Sequence, residues 1–554
     1  MRVQIRQVAA GAGLVLAVGV TAAPVSAGAA TPMPQAPTGA PAIIAGSGHA
    51  RAARSVTISS ATGGSRIWVR SSTFIPLGRD GKPAGSALPT LAAPATRPKP
   101  ASAPAGSGGP NSARSAGTSA LATGTPTMAA TSSSSPANFH GITEGSSDCA
   151  NCQTPDATAA VNGTEIAETA NLRLQVYSKS TAATVCTMSL SSLLGASSGL
   201  SHPRIQYDNA FKRFSLVVDS VPASSFDVPI QYLAASQTDD ACGAWWIYSI
   251  VFSNSSLYPL GATLDYPYLG QDSTSLLSST NNFSFGGSYL GSAAYAMPKS
   301  AAYTGAGFDV TPYSVAFSTA PVTVAGIPTF STTSTYWLAA VPGTGYDLYV
   351  MPTNPAGAIS LRAVVRSAFS APTRRVNQPG TSRTLDPLDG RIESAGVQDG
   401  SFVWFAHTVN DSGFPTTRYG AINVSTNLAT TALAFHSNTS DDFNPSIGVS
   451  DAGNNTNHIW VNWAYTDTPN GVPVSDTVAG VAPGQGVPTL FGNDLTLVTG
   501  FSTSSISSFG AYSSAEIDPV GTFSCPAGLT ALTAQEYFTS SGTWTTQLAR
   551  TTFC

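Results

Sequence analysis

Charged side chains are scarce in this chain of 554 residues, because Lys, Arg, Asp and Glu together make up only 10% of it. The long patterns of Leu, Glu and Lys that mark amphipathic helices are also missing, whereas Gly and Pro are abundant. This composition favours many strands and turns over helices. The segment that can fold is acidic and shows no basic face with aromatics, so nucleic acid is not an expected partner.

Residues 1–27 have the order of an export signal. A basic start with Arg2 and Arg6 leads into an apolar stretch at residues 8–23, and small residues follow up to Ala27. We expect a secretory signal peptide cleaved after Ala27. An uncleaved anchor is the alternative, although the apolar stretch is short for a bilayer span. No other segment is apolar enough to cross a membrane, so we predict a secreted, extracellular protein.

Residues 28–137 are dominated by Ala, Pro, Ser, Thr and Gly. Such a region has too little bulky apolar surface to offset the entropy of ordering, and we predict that it is disordered. One island, SVTISSATGGSRIWVRSSTFIPL from Ser55 to Leu77, alternates like a hairpin. It fits a docking segment, the remnant of a propeptide, or a transient strand within a linker.

Charge changes sign between this region and the remainder of the chain. Residues 28–135 contain nine Lys or Arg and one acid, whereas from residue 136 onward there are 14 Lys or Arg and 28 Asp or Glu. The basic region could contact an anionic cell-envelope polymer, or fold back on the acidic domain. A solvated linker with incidental arginines explains the same pattern.

A short cassette recurs through residues 138–554: a small or proline-led turn, alternating apolar residues, a tight polar turn and a second apolar run. Its starts lie near Asp156, Pro203, Pro267, Arg391, Pro445 and Ala511. The gap of 124 residues before Arg391 is about twice the others, and a weaker unit, Thr329–Pro352, lies near its middle. Units of this length hold four short strands, and their radial repetition gives a β-propeller. We therefore predict an all-β fold, a β-propeller of six or seven four-stranded blades with seven favoured; two β-sandwich domains are the alternative.

Aromatic residues cluster inside the predicted strands, and alternation of this kind is typical of a packed core. A carbohydrate-binding platform is the other interpretation. The residues concerned are Trp245, Trp246, Tyr248, Trp404, Phe405, Trp460 and Trp463.

Several segments together resemble a group of secreted bacterial propeller proteins that are loosely sialidase-like in architecture and largely uncharacterised. The likeness covers roughly residues 150–554 and rests on the joint order of PDATAAV, HPRIQYDNAFKRF, LDYPYLGQDSTS, LDGRIESAGVQDG, NPSIGVS, FGAYSSAEIDP and AQEYF. It implies a fold rather than an activity. This chain has Ala511 where that group has Asp after Gly510, and it lacks the Gly-Pro-Asn-His that often follows Ala-Val. Any site that those residues form in the group is altered here.

Six cysteines in an exported chain predict disulfides. Proximity in the sequence suggests three pairs, Cys149 with Cys152, Cys186 with Cys242, and Cys525 with Cys554. The first pair forms a CxxC, but it has no second Cys/His pair at matched spacing and no thioredoxin-like context, which disfavours zinc and redox roles. A bridge at Cys554 would pin the C-terminal strand.

Candidates for hydrolysis are few. Sialidase-type catalysis needs an arginine cluster and a Tyr–Glu nucleophile pair, and Glu393, Glu516, Glu536 and Tyr537 are the nearest candidates. A Ser–His–Asp triad is not expected from His140, His202, His407, His436 or His458, none of which lies near a Gly-x-Ser-x-Gly turn; we expect His202 and His458 to be solvated or capping.

Paired acids occur at Asp239–Asp240, Asp441–Asp442 and Asp386/Asp389. We expect turn capping from them, with calcium binding as the weaker alternative. The sequence therefore nominates no catalytic, cofactor-binding or metal residue.

We expect a monomeric, secreted or envelope-associated binding module for a protein, glycan or envelope component. The alternatives are an extracellular glycoside hydrolase and a structural surface protein displayed on a flexible stalk.

Overall fold

The computed structural model describes residues 67–74, 129–130, 138–148, 155–196, 199–252, 257–325, 333–353, 357–450, 457–492, 494–504, 509–522 and 525–554. The predicted signal peptide, residues 1–27, lies outside the described residues, as do Cys149 and Cys152.

Four short strands precede the first complete sheet. They are β1 (Ile67–Val69), β2 (Ser71–Phe74), β3 (Ala129–Ala130) and β4 (Asn138–Thr143), the last followed by a 3-10 turn at Glu144–Ser146. The first three belong to residues 28–137. The prediction of disorder for that region therefore does not extend to these three strands.

Three four-stranded sheets follow along the chain. Blade 1 contains β5 (Thr158–Val161), β6 (Glu165–Ala170), β7 (Arg173–Ser178) and β8 (Thr184–Ser189), and helix α1 (Leu190–Leu194) follows it. Blade 2 contains β9 (Gly199–Asp208), β10 (Arg213–Val221), β11 (Ile230–Ser236) and β12 (Trp245–Val251). Blade 3 contains β13 (Thr263–Gln271), β14 (Ser275–Phe283) and β15 (Tyr289–Pro298), then, after helix α2 (Lys299–Ala302) and strand β16 (Phe308–Val310), its fourth strand β17 (Tyr313–Val315).

The next two blades share a strand pairing. Blade 4 contains β18 (Ala320–Val324), β19 (Ser334–Val341), β20 (Gly345–Pro352) and β21 (Ser360–Arg366), and a small hairpin of β22 (Val376–Asn377) and β23 (Thr384–Leu385) follows. Blade 5 contains β24 (Gly396–Asp399), β25 (Phe402–Asp411), β26 (Phe414–Asn423) and β27 (Leu428–Phe435). Strands β18 and β24 pair in parallel and join the two blades.

The last two blades complete the series. Blade 6 contains β28 (Asp441–Val449), β29 (Ile459–Asp467), a 3-10 turn (Thr468–Asn470), β30 (Val472–Val481) and, after β31 (Leu490–Phe491), its outer strand β32 (Leu495–Val498). Blade 7 contains β33 (Ser514–Ile517), then, after the hairpin of β34 (Gly521–Thr522) and β35 (Cys525–Pro526), β36 (Thr530–Phe538) and β37 (Trp544–Thr552).

The first strands of the blades form a closed ring around a central channel. Each packs against the first strand of the next blade, in the order β5, β9, β13, β18, β24, β28, β33, and β33 returns to β5. Within each blade the strands are antiparallel neighbours. The described residues thus form a β-propeller of seven four-stranded blades, and the weaker unit at Thr329–Pro352 lies within blade 4.

The strand just before blade 1 and the C-terminal strand both belong to blade 7. Strand β4 pairs with β37 and supplies the fourth strand beside β33, β36 and β37. A disulfide joins Cys554, two residues after β37, to Cys525 on β35. The last strand is therefore held by pairing on both sides and by a covalent link, as the position of Cys554 predicts.

A second disulfide joins Cys186 on β8 to Cys242 in the turn before β12. It links the outer strand of blade 1 to blade 2. Two of the three predicted pairs are confirmed, and the third concerns the cysteines outside the described residues.

The core lies between neighbouring blades. Trp245, Trp460 and Trp463 are fully buried, Trp404 is 7% exposed, and Trp246 packs half-buried against the core. The interpretation of these aromatics as packing residues is confirmed. No helix of the described residues is long and apolar enough to cross a bilayer.

Candidate functional site

The proline-led part of the repeated cassette lies within the inner strands. In β9, β13 and β28 the pairing register slips at the residues around Pro203, Pro267 and Pro445. The residue before each proline has a left-handed backbone, with φ of 55° at His202, 57° at Tyr266 and 53° at Asn444. Each of these sites is a β-bulge, a feature that bends a strand and redirects a side chain. Left-handed non-glycine residues cost about 1–3 kcal/mol each, so their recurrence at one end of the channel marks a region held in place by its surroundings.

Arg204 ties four blades together beside the first bulge. Its Nε donates to the Pro267 carbonyl at 3.0 Å and its Nη2 donates to the Glu393 carbonyl, also at 3.0 Å. The guanidinium carbon lies 3.3 Å from the centroid of the Tyr512 ring. A desolvated cation over an aromatic face is strongly favourable. Because its partners come from blades 3, 5 and 7, this arginine is a structural clamp across the channel.

The Arg391 guanidinium is also bound by neighbouring groups of the protein. Its Nε and Nη2 donate to the two Asp389 oxygens at 2.8 Å and 2.7 Å, and its guanidinium carbon lies 4.5 Å from the Tyr266 ring centroid. Burial raises the pKa of the Asp389 carboxyl, but Arg391 outweighs it and the net pKa is below the ordinary value. The Tyr266 hydroxyl donates to the Ala511 carbonyl at 2.6 Å. Both channel arginines therefore stabilise the protein's own groups.

His202 lies between two carboxylates at the mouth of the channel. Its Nε2 is 3.7 Å from Asp156 Oδ2 and 3.6 Å from Asp265 Oδ1, longer than hydrogen bonds. Burial raises the pKa of Asp156, while His202 and Arg204 lower it. His202 is only 9% exposed, so the expectation of a solvated or capping histidine is wrong.

A cavity of about 340 Å³ continues along the channel from this polar layer. All seven inner strands contribute to its wall, among them Thr158, Gln206, Gln271, Thr323, Val397, Ile447 and Glu516. At the far end it reaches the turn residues Asn209, Pro519, Ala527 and Gly528, of which Ala527 is exposed. The volume is at the lower end of the roughly 300–1,000 Å³ that is typical of small-molecule sites.

Glu516 is the notable ionisable group of this wall. Its carboxyl has no hydrogen-bond partner among the described residues. Burial raises its pKa to about 8, with no neighbouring charge to offset the effect. Asp518, two residues along, is instead paired with Lys179 at 2.6 Å and Arg550 at 2.9 Å. At neutral pH Glu516 is therefore mostly protonated and can donate a hydrogen bond into the cavity.

The other carboxyl candidates are built into the scaffold. Glu393 is fully buried and accepts from Thr408 Oγ1 at 2.8 Å; burial raises its pKa to about 8. Glu536 accepts from the Gly510 amide at 2.6 Å. The Tyr537 hydroxyl instead hydrogen-bonds His140 Nδ1 at 2.7 Å. Neighbouring residues of a strand face opposite sides, so Glu536 and Tyr537 do not form a nucleophile pair.

Of the three further histidines, two have hydrogen-bond partners and one has a ring contact. His407 Nδ1 donates to the Gly390 carbonyl at 2.8 Å, and burial lowers the pKa of this histidine to about 3. His436 Nδ1 is 2.7 Å from Asp494 Oδ2. His458 is half-buried beside the Phe553 ring; it is neither fully solvated nor a cap through its ring.

Some of the paired acids cap turns, and others lie within a strand. Asp240 accepts from the Cys242 amide at 2.7 Å and Asp386 from the Leu388 amide at 3.0 Å, which is turn capping. Asp441 and Asp442 lie in β28, so their predicted position in a turn is wrong. The Asp442 carboxyl accepts from Trp463 Nε1 at 2.9 Å.

One cluster of possible metal ligands occurs in the described part of the chain. It consists of Glu165, Asp240 and Cys242. The Cys242 sulfur is bonded to Cys186, which removes the thiolate that a metal would need. The cluster is left with two acids.

No family model matches this chain, and no curated protein matches it. The solved structures to which it is similar include three β-propeller proteins. An α-L-arabinanase from Penicillium chrysogenum has a TM-score of 0.34 and 10% identity, covering 72% of this chain and 93% of that chain. The α-L-arabinofuranosidase Arb93A from Fusarium graminearum has 0.30 and 10%, covering 75% and 98%. The hemagglutinin-neuraminidase of parainfluenza virus 5 has 0.32 and 13%, covering 59% and 91%. Likeness of this size carries no argument about activity.

Proposed function

We propose that the protein is a secreted, non-catalytic binding module that takes a small, uncharged polar ligand, such as the end of a glycan chain, into its central cavity. The observation that carries the proposal is the cavity of about 340 Å³, which every inner strand helps to line. A concave site with a few convergent polar groups is the usual form of a ligand pocket.

The lining favours hydroxyl-rich ligands. Thr323 and Ser394 supply hydroxyl groups, the latter buried without a hydrogen-bond partner among the described residues, and the Tyr207 and Tyr268 rings supply flat apolar surface. Glu516 adds a carboxyl that is mostly protonated at neutral pH and can donate to a ligand oxygen. Hydroxyls pair with all of these groups without bringing a charge into a partly buried site.

The arginines argue against sialidase-type hydrolysis. A substrate carboxylate would have to displace the carbonyl partners of Arg204 or the Asp389 partner of Arg391. Both changes would leave buried polar groups unpaired. Capture of a neutral ligand requires neither change.

Export is supported by the predicted signal peptide of residues 1–27. The Cys186–Cys242 and Cys525–Cys554 disulfides fit the same setting, because such bonds persist in oxidising compartments. The basic residues of the region before the propeller would suit attachment to an anionic envelope polymer.

A cavity-filling variant tests the proposal. Thr323→Phe places an aromatic ring in the cavity, whereas Thr430→Phe puts the same change on the exposed face of β27. The full chain and both variants would be screened on a panel of neutral and acidic oligosaccharides. We expect binding of neutral glycans by the wild type and Thr430→Phe, and its loss in Thr323→Phe. Equal binding by all three, or no binding by the wild type, would refute the proposal.

A glycoside hydrolase is the second candidate, and one observation favours it. Asp156 and Asp265 each place a carboxyl oxygen within 3.7 Å of His202 Nε2, and glycoside hydrolysis uses two neighbouring carboxyl groups. Turnover of aryl glycosides by the wild type that is abolished by both Asp156→Asn and Asp265→Asn would establish this function in place of the first. Binding without turnover would eliminate it.

A further inference from the structure

A short segment far upstream of the propeller fills a cleft on its rim. Strand β2 pairs antiparallel with β12, from Ser71 opposite Tyr248 to Phe74 opposite Trp245. Strand β1 pairs with β16, from Ile67 opposite Val310 to Val69 opposite Phe308. The segment therefore bridges the outer edge of blade 2 and the insertion of blade 3. We call this place the rim cleft, formed by β12 and β16.

Side chains in the middle of the segment alternate between the cleft and solvent. Val69 is 1% exposed and belongs to a buried cluster with Tyr248, Ile250 and Phe308. Arg70 is exposed. The Ser71 hydroxyl donates to the Gly305 carbonyl. One aliphatic anchor and one hydroxyl thus enter the cleft, one on either side of an outward residue.

This is the geometry of strand addition to an open sheet edge. In that mode of recognition backbone hydrogen bonds give affinity, and pockets for alternate side chains give selectivity. Without the segment, β12 would be an unpaired edge strand, and the apolar pocket of Val69 would be open. Unpaired edges of this kind readily accept another strand.

The resident segment is held by few contacts. Its two strands have three and four residues, shorter than the usual five or six. Residues 75–128 separate it along the chain from β3, which is the next strand and pairs with β37 in blade 7. Attachment through so long a connection adds only a moderate effective concentration, which a partner in excess can match.

We propose that the rim cleft is a peptide-binding site and that residues 67–74 are its resident, displaceable ligand. The partner is an extended segment of another protein that carries an aliphatic residue at the place of Val69 and a small hydroxyl residue two positions later. Such a partner adds to β12 as the fifth strand of blade 2 when the resident segment leaves.

The test uses a fluorescently labelled peptide with the sequence of residues 64–77 and the full chain. In Val69→Asp the resident strand would bury a carboxylate, so it should detach and leave the cleft free. We expect this variant to bind the peptide at least about tenfold more tightly than the wild type, which corresponds to a change of about 1.4 kcal/mol. Arg70→Ala, at the exposed neighbour, should bind as weakly as the wild type, and a peptide with Asp in place of Val69 should bind to none of the proteins.

A second altered form of the chain keeps the test valid if Val69→Asp does not fold. A full chain with a protease recognition sequence in place of residues 100–106 would be cut, so that the resident segment is no longer tethered. Peptide binding should then increase by a similar factor. The proposal is refuted if a folded Val69→Asp chain and the cut chain both bind the peptide no better than the wild type. It is also refuted if the cleft is refilled only by a second copy, seen as a dimer by light scattering without peptide binding.

Discussion

Glu516→Gln should change the pH dependence of stability in a defined direction. The carboxyl has a pKa of about 8 in the folded protein, against an ordinary value of 4.5. Between these pH values the folded state binds more protons than the unfolded state, so stability falls as pH rises through the window. The full difference between these two pKa values corresponds to a loss of at most roughly 5 kcal/mol in the free energy of unfolding across the window. Because the side chain faces a cavity that water can enter, we expect a difference of about 2–5 kcal/mol.

Urea denaturation from pH 4.5 to pH 9 is the assay. Wild type and Glu516→Gln should have nearly equal free energies of unfolding at pH 4.5, and the variant should become progressively more stable up to about pH 8. Other buried acids, such as Glu393 and Asp442, affect both proteins alike. Asp309→Asn, at an exposed position, should show no such divergence. A gap between wild type and Glu516→Gln that does not change with pH would refute the reasoning.

Three further predictions concern the scaffold. Replacing Cys525 and Cys554 by Ser opens a loop with a sequence separation of 29 and should lower the free energy of unfolding by about 3.6 kcal/mol under non-reducing conditions. Gly510→Ala should cost at least about 1–3 kcal/mol, because the new methyl group would overlap the Glu536 carboxyl and the Pro155 carbonyl, whereas Gly145→Ala has open space and should be nearly neutral. Arg204→Lys should lower the free energy of unfolding by about 2–4 kcal/mol, because a lysine ammonium cannot bind both carbonyls and also stack on Tyr512. Thermal melts of the variants and the wild type check all three predictions.

A different experimental result would contradict each of these three scaffold predictions. A double cysteine variant that melts with the wild type would mean that pairing of β37 with β4 and β36 alone holds the end of the chain. Equal melting of the Gly510→Ala and Gly145→Ala variants would show that the backbone near Glu536 can move aside. An undisturbed Arg204→Lys variant would show that the arginine is not a clamp.

The blade count was predictable because four strands and their turns set the length of a repeat. That regularity also located the weak unit Thr329–Pro352, although it has no proline-led start. The prediction that the cassette begins in a turn was wrong. Proline usually excludes a residue from a central strand, so His202–Pro203 suggested a turn. A bulge accommodates proline within the inner strand, and the recurrence of X-Pro before alternating apolar residues was the available signal.

Ring closure could not be derived from the sequence. The six residues of β4 start at the predicted domain boundary, Asn138, but nothing in them specifies β37 as their partner. Pairing across most of the chain depends on the whole ring being formed. The Cys525–Cys554 link was predictable from proximity alone.

The candidate site was predictable only in part. Glu516 was among the carboxyl candidates, but its lack of a partner depends on seven strands that meet only in the fold. The burial of Asp156 beside His202 has the same origin. The sequence shows only 14 Lys or Arg from residue 136 onward, whereas the engagement of Arg204 with backbone carbonyls and of Arg391 with Asp389 required the structure.

The location of a bound ligand tests the central cavity most directly. A crystal structure of the full chain saturated with the best neutral oligosaccharide from the screen would supply it. The account predicts ligand density within the ring of inner strands, with a ligand oxygen in hydrogen-bond contact with Glu516. Density only at the mouth beside Asp156 and Asp265, or only on the outer surface of the blades, would contradict it.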